Sequence, residues 1–173
     1  LSSGGRVAAA LRARGHEVTE ADPSGDAFAV LPAARVADVV WMALHGGAGE
    51  DGTIQAMFDL AGVTYTGSGH LASALAMDKT MAKMVWRSQR LATPRWIVVD
   101  PAARRLPPLP AALPLVVKPN SEGSRVGVSI VRRRSALAAA VKAAGRFDRR
   151  VVIEEYVPGR EVTVGILDGC ALG

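Results

Sequence analysis

Residues 115–131 read LVVKPNSEGSRVGVSIV, and this stretch decides the fold of the second half of the chain. The apolar strand Leu115–Lys118 ends in a lysine, residues 119–125 form a Ser/Gly-rich loop, and Val126–Val131 is apolar again. A lysine at the end of a buried strand is costly without an anionic partner, and the backbone N–H groups of such a loop can surround a phosphate. The pattern is not a P-loop, because no helix follows the loop directly. Taken alone, a hairpin with a surface lysine explains the stretch equally well.

A second motif lies at residues 151–161, VVIEEYVPGRE. Its apolar start predicts a buried strand that ends in two carboxylates, Glu154 and Glu155, and a third, Glu161, follows after a short turn. Carboxylates can accept hydrogen bonds from an adenine amino group or from ribose hydroxyls. Surface charge on a hinge is the alternative interpretation.

Two glycine-rich stretches lie earlier in the chain. Residues 44–52, LHGGAGEDG, contain four glycines after an apolar run, so that backbone can approach a ligand closely there. The apolar run 36–44 predicts a buried strand, and His45 follows it at the carboxyl edge, where open α/β sheets bind ligands. A structural histidine is an equally reasonable interpretation. Residues 65–79, YTGSGHLASALAMDK, end in Lys79, which could reach a phosphate or could lie on a helix surface.

The spacing of apolar residues predicts two folds in succession. Helices and strands alternate over roughly the first 75 residues, which predicts a small α/β domain with a mainly parallel sheet. The later order of strand, loop, strand, helix and strand predicts an α+β domain. Helices are expected at 5–14, 54–61, 71–90 and 135–144, and strands at 16–21, 36–44, 63–66, 96–99, 115–118, 126–131, 151–155 and 161–167.

Composition and charge exclude several classes of protein. Apolar residues make up 49% of the chain and charged residues 21%, which is typical of a soluble globular protein. No apolar run approaches the roughly 18 residues that cross a bilayer, so no membrane partner is expected. The net charge is +5, but the one basic cluster, Arg132–Arg134, lacks interleaved aromatics, and no nucleic-acid partner is expected. The single Cys170 fits a reducing, cytoplasmic location.

Both ends of the sequence predict a piece of a longer chain. The sequence begins with Leu1 rather than methionine and stops at Gly173, just beyond a predicted hairpin turn at Asp168–Gly169. No signal peptide is visible.

Together and in this order, the four stretches resemble the D-alanine–D-alanine ligases of the ATP-grasp superfamily. The resemblance is carried by ALHGGAGEDGTIQAMFDLAGVTYTGSGHLASALAMDKTMAK at 43–83, LPLVVKPNSEGSRVGVSIV at 113–131 and VVIEEYVPGREVTVGIL at 151–167. It implies an N-terminal α/β substrate domain at 1–77, a central ATP-grasp subdomain at 78–158 and the start of a C-terminal subdomain at 159–173.

The family resemblance also implies an activity. Two D-alanines would be joined to D-alanyl-D-alanine through a D-alanyl phosphate formed from ATP, for peptidoglycan precursor synthesis, by a protein that could form a homodimer. It implies that ATP is contacted by Lys79, Lys118, Gly123, Glu154, Glu155, Tyr156, Val157 and Glu161, and that His45 and Ser124 act at the reacting groups. Within this set, the resemblance implies that the backbone of Glu155–Val157 meets the adenine edge and that Glu161 binds the ribose hydroxyls. Carboxylates for Mg²⁺ or Mn²⁺ are expected beyond Gly173, and we expect the 173-residue chain alone to be inactive.

One residue departs from the family pattern, and two other functions stay open. Arg125 stands where the family usually carries a small hydroxyl residue. It could bind phosphate bidentately or be too bulky for a closed loop. The alternatives are a related ligase that joins D-alanine to D-lactate or D-serine, and a non-catalytic nucleotide-binding remnant.

Overall fold

The computed structural model describes residues 2–103 and 105–172. In chain order its elements are α1 (Ser2–Arg12), α2 (Leu31–Val36), α3 (Thr53–Ala61), α4 (His70–Met77), α5 (Lys79–Ser88), β1 (Trp96–Val99), β2 (Leu115–Pro119), β3 (Ser129–Val131), α6 (Leu137–Ala144), β4 (Val151–Glu155), β5 (Ile166–Leu167) and β6 (Cys170–Ala171). None of the helices in these ranges is both long and apolar enough to span a membrane.

The second half of the chain folds around a four-stranded antiparallel sheet in the order β1-β4-β2-β3. Helix α6 covers one face of this sheet, and the side chains between them form the larger core. Leu115, Val117, Val151 and Ile153 are completely buried there, and each side chain of this kind contributes roughly 1.5–3 kcal/mol when it leaves water. The α+β character predicted for this part is therefore confirmed.

The alternation of β2 determines which side chains reach the opposite face. Leu115 and Val117 point to the α6 side, so Val116 and Lys118 point the other way. That face packs against the N-terminal half of the chain through α5, whose Lys83 reaches the sheet. The candidate site lies on this second face.

The first half of the chain is helical and does not contain the predicted parallel sheet among the described residues. Its one strand pairing is an isolated parallel bridge between Val40 and Tyr65, supported by hydrogen bonds from Val40 N to Thr64 O (2.8 Å) and from Thr66 N to Val40 O (3.0 Å). Its small core contains Val30, Ala34, Ile54, Phe58 and Val63. The parallel sheet is thus not confirmed.

None of the three strands predicted for this half is a strand in the described residues: 36–44 and 63–66 meet only at the bridge between Val40 and Tyr65. The 16–21 segment is mostly exposed and pairs with no strand. In the 36–44 segment, Val36 ends α2 and is 86% exposed, and Trp41 is also largely exposed. The apolar run 36–44 led to a prediction of too much burial, because Val36 and Trp41 have no neighbouring layer in the described chain.

The long helix predicted for residues 71–90 is two helices, α4 and α5. Asp78 separates the two helices because its backbone is extended (φ −78°, ψ 97°), and its side chain accepts a hydrogen bond from Met81 N at 3.0 Å. Asp78 is thus the N-cap of α5, and Lys79 is the first residue of that helix. The break places Lys79 at the edge of the sheet.

The Ser/Gly-rich loop after β2 shortens the strand that follows. Ser124 and Arg125 have positive φ angles (47° and 62°), so pairing resumes only at Ser129 instead of Val126. Gly127 also has a positive φ, and a β-carbon there would lie 2.7 Å from Pro119 Cγ, which explains the glycine. The predicted turn at Asp168–Gly169 is confirmed as the link between β5 and β6, although the expected 161–167 strand is only Ile166–Leu167.

Candidate active site

A group of buried ion pairs forms the base of the candidate site. Lys118 pairs with Val152 across the sheet and Glu154 pairs with Val116, so Lys118 and Glu154 are diagonal neighbours on one face. Lys118 Nζ contacts Glu154 Oε1, and Lys83 Nζ lies 2.8 Å from Glu154 Oε2. The side chains of Lys83 and Glu154 are only 4% and 7% exposed, whereas that of Lys118 is 21% exposed. One carboxylate therefore holds two ammonium groups.

Lys79 lies against the loop that follows β2. Its Nζ donates to the carbonyl oxygens of Asn120 (3.2 Å) and Glu122, and its backbone N–H donates to Asn120 O. Asn120 is fully buried, and its Oδ1 accepts from the N–H and the hydroxyl of Thr80 at 3.0 and 2.6 Å. The start of α5 is thereby fixed to the end of β2, and the two lysines predicted to meet phosphate lie at one edge.

The electrostatics of this edge favour an anionic ligand. Burial lowers the pKa of Lys79 and the nearby Lys118 charge lowers it further, while the carboxylates of Asp148, Glu122 and Glu154 act in the opposite direction. Burial also lowers the pKa of Lys83, while its contact with Glu154 opposes that shift. Lys83 and Lys118 thus share the Glu154 carboxylate while Lys79 faces carbonyl oxygens, and an anion beside Lys79 would stabilise its charged form.

The glycine-rich loop of the first half reaches the same edge. Gly123 lies close to Glu50, since a β-carbon built on Gly123 would be 3.7 Å from Glu50 Oε2. His45 Nδ1 is 3.9 Å from Glu50 Oε1, and His45 Nε2 is 3.4 Å from Ser3 Oγ. His45 is largely exposed and therefore open to a small molecule. The histidine loop and the Ser/Gly-rich loop thus face each other across a short gap.

An exposed ion pair lies at the outer side of the Ser/Gly-rich loop. Arg125 Nη2 contacts Glu161 Oε2, and the two side chains are 74% and 83% exposed. Ser124, next to Arg125, is exposed as well. The arginine is therefore in contact with a carboxylate predicted to bind ribose, an arrangement that the sequence did not indicate.

The segment predicted to meet adenine continues from the end of β4. Glu155 N donates to Arg95 O at 2.9 Å, and Arg95 Nε lies 3.2 Å from Glu155 Oε2, which holds the pKa of Glu155 below its usual value. Tyr156 is partly buried, with the Arg132 guanidinium 5.9 Å from its ring centre. Val157 is exposed. Glu155 is thus engaged with Arg95, which leaves Tyr156 and Val157 as the more open members of the segment.

Three contributors to this arrangement were missed in the sequence. Lys83 lies four residues after Lys79, and residues at i and i+4 share one face of a helix, so their spacing was a usable signal. Glu50 lies within the glycine-rich motif itself. Asn120 lacked a signal of its own, because only the structure shows that the end of β2 meets the start of α5.

The described residues contain no cluster fit to hold a divalent cation, because no group of three or more His, Cys, Asp or Glu side chains converges within them.

The antiparallel sheet and the lysines beside a small-residue loop agree with the ATP-grasp resemblance of the sequence. Models of the D-Ala–D-Ala ligase N-terminus and C-terminus match residues 2–68 and 85–172. The chain therefore belongs to the D-alanine–D-alanine ligase family.

Individual proteins agree with this assignment. The chain is 48% identical to a D-alanine–D-alanine ligase of Geotalea uraniireducens and 46% identical to one of an Anaeromyxobacter species, over its full length. It spans 56% and 57% of those proteins, so only about half of each is matched. A crystal structure of the Bacillus anthracis D-alanine–D-alanine ligase complexed with ATP aligns with a TM-score of 0.76 and 35% identity, over 86% of this chain and 51% of that one.

Proposed function

We propose that the complete protein joins two D-alanines to D-alanyl-D-alanine at the expense of ATP. The observation that carries this proposal is the meeting of Lys79, Lys118 and the Ser/Gly-rich loop at one edge, opposite the His45 loop. The similarity to ligases of that name, one of them complexed with ATP, supports the choice of substrates.

The proposed reaction has two steps. A carboxylate oxygen of the first D-alanine attacks the γ-phosphorus of ATP, the bond to the ADP oxygen breaks, and D-alanyl phosphate forms. The amine of the second D-alanine then attacks the acyl carbon, the bond to the phosphate oxygen breaks, and the amine loses a proton. Such chemistry depends on positioning and on neutralising negative charge rather than on a protein nucleophile.

The proposed roles follow the chemistry of each side chain. Lys79 and Lys118 supply positive charge to the phosphates, and the loop containing Gly123 and Ser124 closes over them. His45 faces the reacting carboxylate from the other side. The adenosine is assigned to Glu154, Glu155, Tyr156, Val157 and Glu161.

The division into domains is part of the same proposal. We place the substrate domain at 1–77, the central ATP-grasp subdomain at 78–158 and the start of the next subdomain at 159–173. The interruption between α4 and α5 at Asp78 supports the first boundary, because it separates the helical first half from the helix that packs on the sheet.

The proposal also includes a divalent metal ion and a homodimer. A Mg²⁺ or Mn²⁺ ion is proposed to accompany ATP, but the described residues do not fit a site for it, and no step is assigned to it. A homodimer formed through the N-terminal domain is also proposed, and light scattering of the complete protein would test it.

The deciding experiment measures phosphate release from ATP by the complete protein. It is run with D-alanine, with L-alanine, and with D-alanine plus D-lactate or D-serine, and the products are weighed by mass spectrometry. We expect release with D-alanine alone and a D-alanyl-D-alanine product. A mixed product formed in preference would instead identify a D-lactate or D-serine ligase.

Matched lysine variants connect the activity to the site. Lys118→Met should reduce phosphate release at least about a hundredfold, as expected for the loss of a group that stabilises developing charge. Lys142→Met, on the exposed surface of α6, should leave it unchanged. ATP binding without any D-alanine-dependent release would support the non-catalytic alternative.

A further inference from the structure

Lys83 is a buried charged residue to which the proposed function gives no role. Three oxygens surround its ammonium group: Glu154 Oε2 at 2.8 Å, Thr93 Oγ1 at 2.8 Å and Pro94 O at 3.0 Å. Its Nζ also lies 5.0 Å from the ring centre of Trp96. Two of these contacts are hydrogen bonds and the one to Glu154 is an ion pair, and the side chain is only 4% exposed, so Lys83 is not available to a ligand.

Lys118 occupies the other oxygen of the same carboxylate and differs in two ways. Its side chain is 21% exposed, and it lies beside the loop proposed to hold phosphate. Lys118 can therefore exchange Glu154 for a phosphate oxygen, whereas Lys83 stays in place.

The cost of this exchange depends on whether Glu154 has a second lysine partner. If Lys118 were the sole counter-ion of Glu154, its departure toward phosphate would strand a buried carboxylate, which is strongly unfavourable. With Lys83 fixed on Oε2, the carboxylate keeps a partner throughout. The exchange then leaves no buried charge uncompensated.

We propose that Lys83 is a positioning residue for nucleotide binding: it neutralises Glu154 so that Lys118 is free to bind the phosphates. The proposal rests on the proposed function and adds a residue to it. A purely structural Lys83, fastening the 93–94 segment and Trp96 to α5, would alter stability without a selective effect on ATP.

The test compares ATP binding by the complete protein with three variants: Lys83→Met, Glu154→Gln, and the two combined. Isothermal titration with a non-hydrolysable ATP analogue gives Kd, and steady-state assays separate the KM for ATP, the KM for D-alanine and kcat. Lys142→Met is the matched control, because it also removes one lysine charge but from an exposed position.

We expect Lys83→Met to weaken nucleotide binding about tenfold, a difference of about 1.4 kcal/mol, with an unchanged KM for D-alanine. In the Glu154→Gln background the carboxylate is gone, so adding Lys83→Met should change Kd less than twofold. Binding by Lys83→Met within twofold of the unmodified protein would overturn the proposal.

The double variant keeps the test decisive if Lys83→Met alone does not fold. Its buried glutamine lacks the charge that Lys83 compensates, so it should fold more readily than the single variant. A fivefold or larger difference between it and Glu154→Gln would contradict the proposal. If the unmodified protein itself does not bind the analogue, the proposed function fails instead, and the two failures are thereby distinguished.

Discussion

Two parts of the candidate nucleotide site use the same kinds of side chain in opposite environments. The inner wall consists of Lys83, Lys118, Asn120 and Glu154, and the outer lip of Ser124, Arg125 and Glu161. Each contains a carboxylate in contact with a cation, but Glu154 is 7% exposed while Glu161 is 83% exposed. The same pairing should therefore have different consequences in the two places.

Solvent explains the difference. A buried charge that loses its partner keeps the full cost of desolvation, whereas an exposed charge is rehydrated and screened by salt. The inner wall should thus support the fold and fix the lysines, and the outer lip should adjust ligand binding with little effect on stability. The four predictions below test this division.

Glu154→Ala should have the largest effect on stability. It removes the shared partner of Lys83 and Lys118 and leaves Lys83 charged in a buried position. We expect a loss of about 3–5 kcal/mol in the free energy of unfolding, measured by urea unfolding of the complete protein. Glu161→Ala, on the outer lip, is the matched control and should cost at most about 1 kcal/mol. Similar losses in the two variants would refute the division.

Asn120→Ala should have the second-largest effect on the free energy of unfolding. Asn120 Oδ1 accepts two hydrogen bonds from Thr80, and the side chain is fully buried. Leaving those donors without a partner should cost about 2–3 kcal/mol, and the KM for ATP should rise because Lys79 begins the same helix. Ser135→Ala alters an exposed serine and should stay within about 0.5 kcal/mol. An unchanged KM for ATP would separate Asn120 from the positioning of Lys79.

The contrast also explains how much of the molecule the sequence could predict. The antiparallel half followed from local pattern, since the alternation in β2 and the apolar run of β4 match their burial. The helical first half was harder, because an apolar run such as 36–44 carries no information on whether another layer covers it. The break at Asp78 was readable in principle, since aspartate is a favoured N-cap.

The sequence predicted candidate residues that lie within one motif, but it did not predict contacts between residues of two motifs. Lys118 and Glu154 were both selected as candidates, but their direct contact depends on the diagonal register of two strands. Lys83 was overlooked because a helix lysine is usually a surface residue. The Arg125–Glu161 contact joins residues 36 apart in the chain, and neither residue alone suggests the other.

Asp78→Asn tests an ion pair of intermediate exposure. Arg150 Nη2 lies 2.7 Å from Asp78 Oδ2, with side chains 50% and 18% exposed. Burial raises the pKa of Asp78, but hydrogen bonds from Met81, Asn120 and Arg150 outweigh it and hold the pKa below its usual value.

The sign of the pH dependence follows from that direction. A lowered pKa in the folded state means that the charged form stabilises the fold at neutral pH, and that this contribution is lost as the pH falls through the folded pKa. We expect Asp78→Asn to cost about 1 kcal/mol at pH 7, and the gap to the unmodified protein should narrow only as the pH falls below the usual carboxyl pKa of 3.8. A gap that stays constant with pH would show that the Asp78 charge is not responsible.

Arg125→Ser should have the smallest effect on stability, but it should change the affinity for ATP. Restoring the small hydroxyl residue typical of the family removes the exposed contact with Glu161, so the free energy of unfolding should change by less than about 1 kcal/mol. The proposed function assigns Glu161 to adenosine, so removal of the Arg125 contact should free this carboxylate, and ATP should bind up to about fivefold more tightly. The gain should shrink as salt is raised from 50 to about 500 mM, since salt already weakens an exposed pair. Arg125→Lys, which keeps the charge, should stay near the unmodified protein. Weaker binding in Arg125→Ser would mean that the arginine leaves Glu161 for the phosphates once ATP is present, and the outer lip would then contribute directly to binding.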